Sequence, residues 1–157
     1  MKVGIVMGSA SDKKVMEGAS EILRDFGVEH EVKILSAHRT PGALKDWVEG
    51  LRDRGFAAVI AAAGGAAHLA GVVAAFTTLP VIGVPIKSRS LEGLDSLLSM
   101  VQMPSGIPVA CVAIDGSKNA ALLAVEMMAV YDNDLKIKLD NFRSVQSEMV
   151  LANNEQL

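Results

Sequence analysis

A regular alternation of short apolar runs with amphipathic stretches is the feature that most constrains the fold of this chain. The run KVGIVM, residues 2–7, is almost continuously apolar, which is typical of a parallel strand covered on both faces. Apolar residues three and four positions apart, such as Val15, Ala19 and Ile22, instead indicate a helix. The alternation predicts strands at 2–7, 28–35, 57–62, 80–85 and 107–114. It predicts helices at 12–26, 66–76, 91–103, 118–131 and 132–151, and one more from Pro41 to near Gly55 with its apolar stripe at 44–51.

Five strand–helix units predict an open parallel five-stranded sheet with helices on both faces, a three-layer α/β/α fold. The 157 residues suit one domain, with a core at 1–131 and an extra C-terminal helix at 132–151. Half of the residues are hydrophobic. Because 118–131 shows no polar face and 132–151 lies beyond the sheet, we expect both to pack on neighbouring subunits. The alternative is that the C-terminal helix packs on its own domain.

Composition argues against several classes of function. A net charge of −3 without a basic run disfavours nucleic acid as a partner. Glycine and proline interrupt the longest apolar stretches, so we predict no membrane span, and the N-terminal apolar run is too short for a signal peptide. The single cysteine, Cys111, lies in a predicted strand and has no intrachain disulfide partner, so we expect a buried thiol and a cytoplasmic protein.

Polar residues follow the first three predicted strands, as GSASD at 8–12, SAHR at 36–39 and AGGAAH at 63–68. Open parallel sheets bind ligands beyond the carboxyl ends of their strands, where the strand order reverses. In a strand order such as 2-1-3-4-5 these three loops lie side by side. The sequence therefore predicts one ligand-binding cleft built from them.

The first of these loops is suited to a phosphate. Ser9 and Ser11 offer hydroxyl groups beside the free N–H groups of a helix start, and Asp12 is suited to sugar hydroxyls rather than to an anion. Simple capping of the helix is the alternative. No GxxxxGK[ST] motif is present, which argues against a triphosphate.

The third loop contains Gly64 and Gly65, whose lack of a side chain allows the backbone to approach a ligand, or simply to turn tightly. His68, in the helix that follows, either contacts the ligand or caps and packs the helix.

The second loop carries the residues that are hardest to explain structurally. The guanidinium of Arg39 can bind phosphate or carboxylate through two hydrogen bonds, and the imidazole of His38 can exchange a proton near neutral pH. A surface pair without a function is the alternative, and Pro41 starts the next helix. His30 lies within a predicted strand and is interpreted as structural. The absence of GxSxG, GxGxxG and any cluster of metal ligands argues against a serine hydrolase, a dinucleotide enzyme and a metal site.

Five motifs, GSASD, SAHRTP, AGGAAHLAG, LPVIGVP and GLDSLLSMVQMPSGIPV, together resemble the N5-carboxyaminoimidazole ribonucleotide mutase family of de novo purine synthesis. The resemblance covers residues 3–130. It implies a flavodoxin-like subunit in a homo-octamer. It also implies a reaction without metal or organic cofactor, in which a carboxylate moves from the exocyclic N5 of a small aminoimidazole ribonucleotide to ring carbon C4.

The resemblance also assigns roles to residues. It implies that His38 is the general acid and base. The implied substrate-binding residues are Ser9, Ser11, Asp12, Ser36, Ala37, Arg39, Ala63, Gly64, Gly65, Ala66, His68 and Leu69. Ala62 and Ala70 stand where the family commonly has Gly and Pro, and we expect these departures only to tune the pocket.

Two other functions remain open from the sequence. One is a direct CO2-dependent carboxylation of the aminoimidazole ribonucleotide on the same fold. The other is a non-catalytic flavodoxin-like nucleotide-binding module. A phosphorylated receiver would need acidic residues in these loops and an FMN carrier would need aromatic ones, whereas the chain has GSASD and AGGAAH.

Overall fold

The computed structural model describes residues 1–156, which form one parallel five-stranded sheet between two layers of helices. The strands are β1 Lys2–Met7, β2 Glu29–Ile34, β3 Phe56–Gly64, β4 Val81–Ile86 and β5 Ala110–Cys111. The helices are α1 Lys13–Asp25, α2 Pro41–Glu49, α3 Leu69–Phe76, α4 Leu94–Val101, α5 Ser117–Ala129 and α6 Asn133–Ala152. Short 3-10 turns occupy Ala10–Asp12 and Asn153–Gln156.

The order of the strands is β2-β1-β3-β4-β5, and all neighbouring pairs are parallel. This confirms the predicted three-layer fold, and the order is the one in which the loops after β1, β2 and β3 lie side by side. Alternate residues of β1 serve the two layers: Ile5 packs with α1 and α5, and Val6 packs with α2 and α3. Because β1 and β3 are central, with β2 beside β1 on the outer side, the loops after these three strands emerge next to one another.

Several elements differ from the predicted ones, and three of the differences have identifiable reasons. Strand β5 is two residues long rather than eight, because Pro108 lacks an N–H group and the chain turns at Asp115, which has φ of +57°. Helix α3 begins at Leu69 rather than at residue 66, because residues 65–68 form tight turns and His68 occupies the cap position. Helix α4 starts only at Leu94, because Gly93 is left-handed, with φ of +95°.

The two C-terminal helices differ in how they are covered. The small apolar residues of α5, such as Ala120 and Val125, are buried against the rest of the chain. The first half of α6 also packs on its own domain: Leu139 is buried, and Phe142 meets the ring of Phe26 edge-on with centroids 5.7 Å apart. The second half of α6 exposes apolar side chains, among them Met149 at 64%. No helix in residues 1–156 is both long and apolar enough to cross a bilayer.

Candidate active site

A cleft of about 520 Å³ opens at the carboxyl edge of the sheet, where the loops after β1, β2 and β3 meet as predicted. Its lining comprises Gly8, Ser9, Ser11, Asp12, Ser36, Ala37, His38, Arg39, Ala63, Gly64, Gly65, Ala66, Leu69, Ile86, Lys87 and Ser88. Of the residues predicted for the site, only His68 is not part of this lining, and its ring lies directly against that of His38. The sequence therefore predicted which residues come together; their individual roles stay predictions.

The loop after β1 is organised by hydrogen bonds to the side chain of Asp12. The backbone N–H of Ser9 donates to Oδ2 of Asp12 at 3.2 Å, and the hydroxyl of Ser11 donates to Oδ1 at 3.0 Å. Ser9 in turn caps the short 3-10 turn, since its Oγ accepts from the N–H of Ser11. Capping, the structural alternative for this loop, is thus observed. It does not prevent the serine hydroxyls, which remain in the cleft lining, from meeting a ligand.

Asp12 is only 5% exposed, and this burial raises the pKa of its carboxyl group above the ordinary value of 3.8. Hydrogen bonds from Ser11 and Ser9 and the charge of Arg39 act in the opposite direction without cancelling the effect. Water therefore stabilises the charged form of this carboxyl group less than it stabilises that of an exposed carboxyl group.

The raised pKa of Asp12 predicts how stability changes with pH. The folded chain binds this proton more tightly than the unfolded chain, so the contribution of Asp12 to stability falls as pH rises from 3.8 through the raised pKa. Because the Asp12→Asn variant cannot titrate here, we expect the free energy of unfolding of the wild type minus that of the variant to decrease across this window and to level off above it. Urea unfolding at a series of pH values measures this difference, and an increase with pH would contradict the assignment.

The loop after β2 is held together by the hydroxyl group of Ser36. Oγ of Ser36 accepts the backbone N–H of His38 at 3.3 Å and that of Arg39 at 3.2 Å. The guanidinium of Arg39 reaches across to the first loop, where Nη2 donates to the carbonyl oxygen of Gly8 at 2.9 Å. Arg39 therefore connects two walls of the cleft while remaining exposed to a ligand.

His38 and His68 form the contact that is most suggestive of proton transfer. Nε2 of His38 lies 3.0 Å from Nδ1 of His68, and the two rings are nearly perpendicular, at 87°. One nitrogen donates and the other accepts, so at least one of the two rings is neutral while the bond is made. Both side chains are exposed. An imidazole in this arrangement can pass a proton to a bound molecule and take one back.

The sequence analysis missed the fourth wall of the cleft, which is formed by Ile86, Lys87 and Ser88 after β4. Polar residues follow the predicted strand 80–85 as they follow the first three strands, and this signal would have identified the loop. The hydroxyl of Ser88 donates to Oδ1 of Asp95 at 2.6 Å, which lowers the pKa of that carboxyl group. A hydrogen bond and ion pair with Glu92 raise the pKa of Lys87.

The two residues interpreted as structural lie outside the cleft. His30 is half-buried in β2, where its Nδ1 lies 3.3 Å from the carbonyl oxygen of Val28. Cys111 lies in the edge strand β5 and is only partly buried, rather than buried as expected, because β5 has no neighbouring strand on its outer side. This partial burial raises the pKa of its thiol.

Comparisons with known proteins agree with this fold. The chain matches the model of the family described as AIR carboxylase over residues 2–149. It is 58% identical over 142 residues to a protein named N5-carboxyaminoimidazole ribonucleotide mutase from Pyrococcus abyssi, covering 90% of this chain and 82% of that one. It is 54% identical over 155 residues to a protein of the same name from Vibrio vulnificus, covering 98% and 96%.

Two further relatives extend the comparison. Phosphoribosylaminoimidazole carboxylase from Saccharomyces cerevisiae is 54% identical over 155 residues, which cover 99% of this chain but only 27% of that protein. The crystal structure of Treponema denticola PurE superimposes with a TM-score of 0.88 at 30% identity, covering 99% of this chain and 97% of that one. On the match of the family model and on these identities, the chain belongs to the AIR carboxylase family.

Proposed function

We propose that this chain is an N5-carboxyaminoimidazole ribonucleotide mutase, which moves a carboxylate from N5 to C4 of the imidazole without a metal or organic cofactor. The observation that carries the proposal is the meeting of His38 with the GSASD and AGGAAH loops in one cleft. The relatives that match nearly the full length of both chains bear this name. The carboxylase and binding-module functions are the alternatives.

In the proposed reaction His38 acts twice. Its protonated ring gives a proton to N5 as the bond from N5 to the carboxylate carbon breaks; the bonding electrons stay on N5, and CO2 is released into the cleft. Carbon C4 then attacks CO2 to form the new carbon–carbon bond, and the neutral ring of His38 removes the proton from C4. His38 thereby regains its proton, and no other reactant is needed. Recapture is efficient only if the nucleotide and CO2 are held together.

The other cleft residues are proposed to hold the nucleotide. Ser9, Ser11 and Arg39 surround a space suited to its phosphate, and Asp12 accepts hydrogen bonds from the ribose. The backbone of residues 63–66 would enclose the migrating carboxylate. Gly64 and Gly65 present no side chain there.

Assays with two substrates test the proposal against its alternatives. We expect conversion of N5-carboxyaminoimidazole ribonucleotide at a rate that does not depend on added bicarbonate. Rapid carboxylation of aminoimidazole ribonucleotide that requires bicarbonate, without conversion of the N5-carboxylated compound, would instead support the carboxylase function suggested by the yeast relative. Binding of the nucleotide without conversion of either compound would support the binding module.

We further propose that the subunit assembles as a homo-octamer in the cytoplasm. The second half of α6 supports assembly, since Val145, Met149 and Leu151 are exposed there at 47%, 64% and 62%. Leu94 and Leu98 of α4 add a second exposed apolar surface. Both surfaces would lose contact with water between subunits.

The exposed end of α6 gives a test of assembly. We expect light scattering to give the wild type a mass eight times the 16.5 kDa of the chain, and Met149→Glu to shift the population to smaller species, because a carboxylate would be buried without a partner. The control is Asn141→Glu, which adds the same charge at an exposed polar position of the same helix. A Met149→Glu variant with the mass of the wild type would contradict a role for this surface.

A further inference from the structure

Ser96 is a fully buried polar residue that joins two walls of the cleft. Its side chain lies at 0% exposure in the first turn of α4. Oγ donates to the carbonyl oxygen of Ile86 and accepts from the backbone N–H of Gly65, both at 2.8 Å. Ile86 ends β4 and Gly65 follows β3, and both line the cleft. One hydroxyl therefore links the two loops directly beyond the last strand pair, Gly64 with Ile86.

Both backbone groups of Gly65, its N–H and its carbonyl oxygen, contact serine hydroxyls of α4. Its carbonyl oxygen lies 3.5 Å from the hydroxyl of Ser99, one turn further along the helix. That hydroxyl makes a shorter bond, 2.7 Å, to the carbonyl oxygen of Asp95. The contact from Ser99 is thus the weaker of the two, and Ser96 is the residue whose loss would release Gly65.

The conformation of the backbone at Gly65 depends on the hydrogen bond from its N–H group to Ser96. Gly65 is left-handed, with φ of +66°, and a Cβ added there would meet no atom within 4 Å. Gly64 is still paired with Ile86 in the sheet, so Gly65 is the first residue beyond the strand, and it has wide conformational freedom and no side chain to pack. Without the bond from Ser96, other orientations of this peptide would compete with the observed one.

The position of the loop after β3 determines where His68 lies relative to His38. Three residues after Gly65 comes His68, whose Nδ1 lies 3.0 Å from Nε2 of His38. The turns between them are made within the loop itself, by bonds from Ala67 to Gly65 and from His68 to Ala66. A shift at Gly65 therefore moves His68 relative to His38.

We propose that Ser96 is a positioning residue of the active site, which holds Gly65 against the end of β4 and thereby sets the contact between His68 and His38. This inference rests on the proposed function, because it takes His38 as the group that transfers the proton. Misplacement of a reacting group lowers turnover more than binding. We expect Ser96→Ala to lower kcat by about tenfold or more, with a smaller change in KM.

The test compares three variants of the chain of 157 residues. Ser96→Ala removes the hydroxyl, and Ser96→Thr retains it. The matched control is Ser117→Ala, because Ser117 is 3% exposed and donates to the carbonyl oxygen of Val15 at 2.6 Å, away from the cleft. We expect both alanine variants to lose thermal stability, but only Ser96→Ala to lose kcat, and Ser96→Thr to recover most of it. Equal kcat values for the two alanine variants would overturn the proposal.

Hydrogen exchange at the amide of Gly65 tests the same bond independently of activity. In the wild type we expect this amide to exchange slowly, although it lies in a loop, because its acceptor is buried. Exchange as fast as that of an unbonded amide would overturn the proposal even if the variants do not fold. Slow exchange in a wild type that lacks mutase activity would instead reject the proposed function, so the two failures are distinguishable.

Discussion

We expect the His38→Asn variant to bind the nucleotide nearly as tightly as the wild type and to lose turnover by about 10²–10⁴-fold. The asparagine amide reaches only about as far as Nδ1 of a histidine, so it does not replace the 3.0 Å contact from Nε2 of His38 to Nδ1 of His68. It cannot give or take a proton near neutral pH, whereas each step of the proposed reaction needs one transfer. Titration calorimetry of nucleotide binding and an assay of kcat on the same preparation measure the two effects separately.

His30→Asn is the matched control for this variant. His30 is half-buried in β2, contacts the carbonyl oxygen of Val28 and lies outside the cleft. The substitution is chemically the same, so the control shows how much kcat and nucleotide affinity change when an imidazole is lost away from the cleft. Wild-type turnover of the His38→Asn variant would refute the role of His38. Loss of binding together with turnover would mean that His38 holds the ligand rather than moving its proton.

The class of the fold and the place of the cleft could be predicted because both depend on short-range patterns. Apolar runs such as 2–7 identify buried parallel strands, and the loops that follow such strands must emerge at the same edge of the sheet. Polar residues in three of these loops were enough to locate the cleft. His68 was harder to place because its contact with His38 depends on how tightly residues 65–68 turn.

Other features depend on partners that are distant in the sequence. Strand β5 looked eight residues long because 107–114 is apolar, but only Ala110 and Cys111 find register with β4. Nothing in the local pattern around Ser96 indicates its role, because its partners Ile86 and Gly65 lie 10 and 31 residues away. The loop after β4, by contrast, could have been predicted from the sequence, because polar residues follow this strand as they follow the first three.

A large loss of nucleotide affinity is expected when Arg39 is replaced. We expect Arg39→Ala to weaken binding of the nucleotide by about 100-fold, since a hydrogen bond to a charged group contributes about 1.5–3 kcal/mol. Arg39→Lys keeps the charge but not the planar pair of donors, so its affinity should fall between those of the wild type and the alanine variant. Calorimetry with the nucleotide and with its dephosphorylated nucleoside measures how much of the loss depends on the phosphate.

The comparison of nucleotide with nucleoside also separates two roles of this guanidinium. In the free protein Nη2 of Arg39 donates to the carbonyl oxygen of Gly8, so the alanine variant also loses a link between the first two loops. If recognition of phosphate dominates, Arg39→Ala weakens binding of the nucleotide but hardly that of the nucleoside. If the link dominates, both ligands lose affinity equally, which would contradict the phosphate assignment. Arg52→Ala is the control, because the guanidinium of Arg52 donates to Thr78, away from the cleft. That variant should bind both ligands as the wild type does.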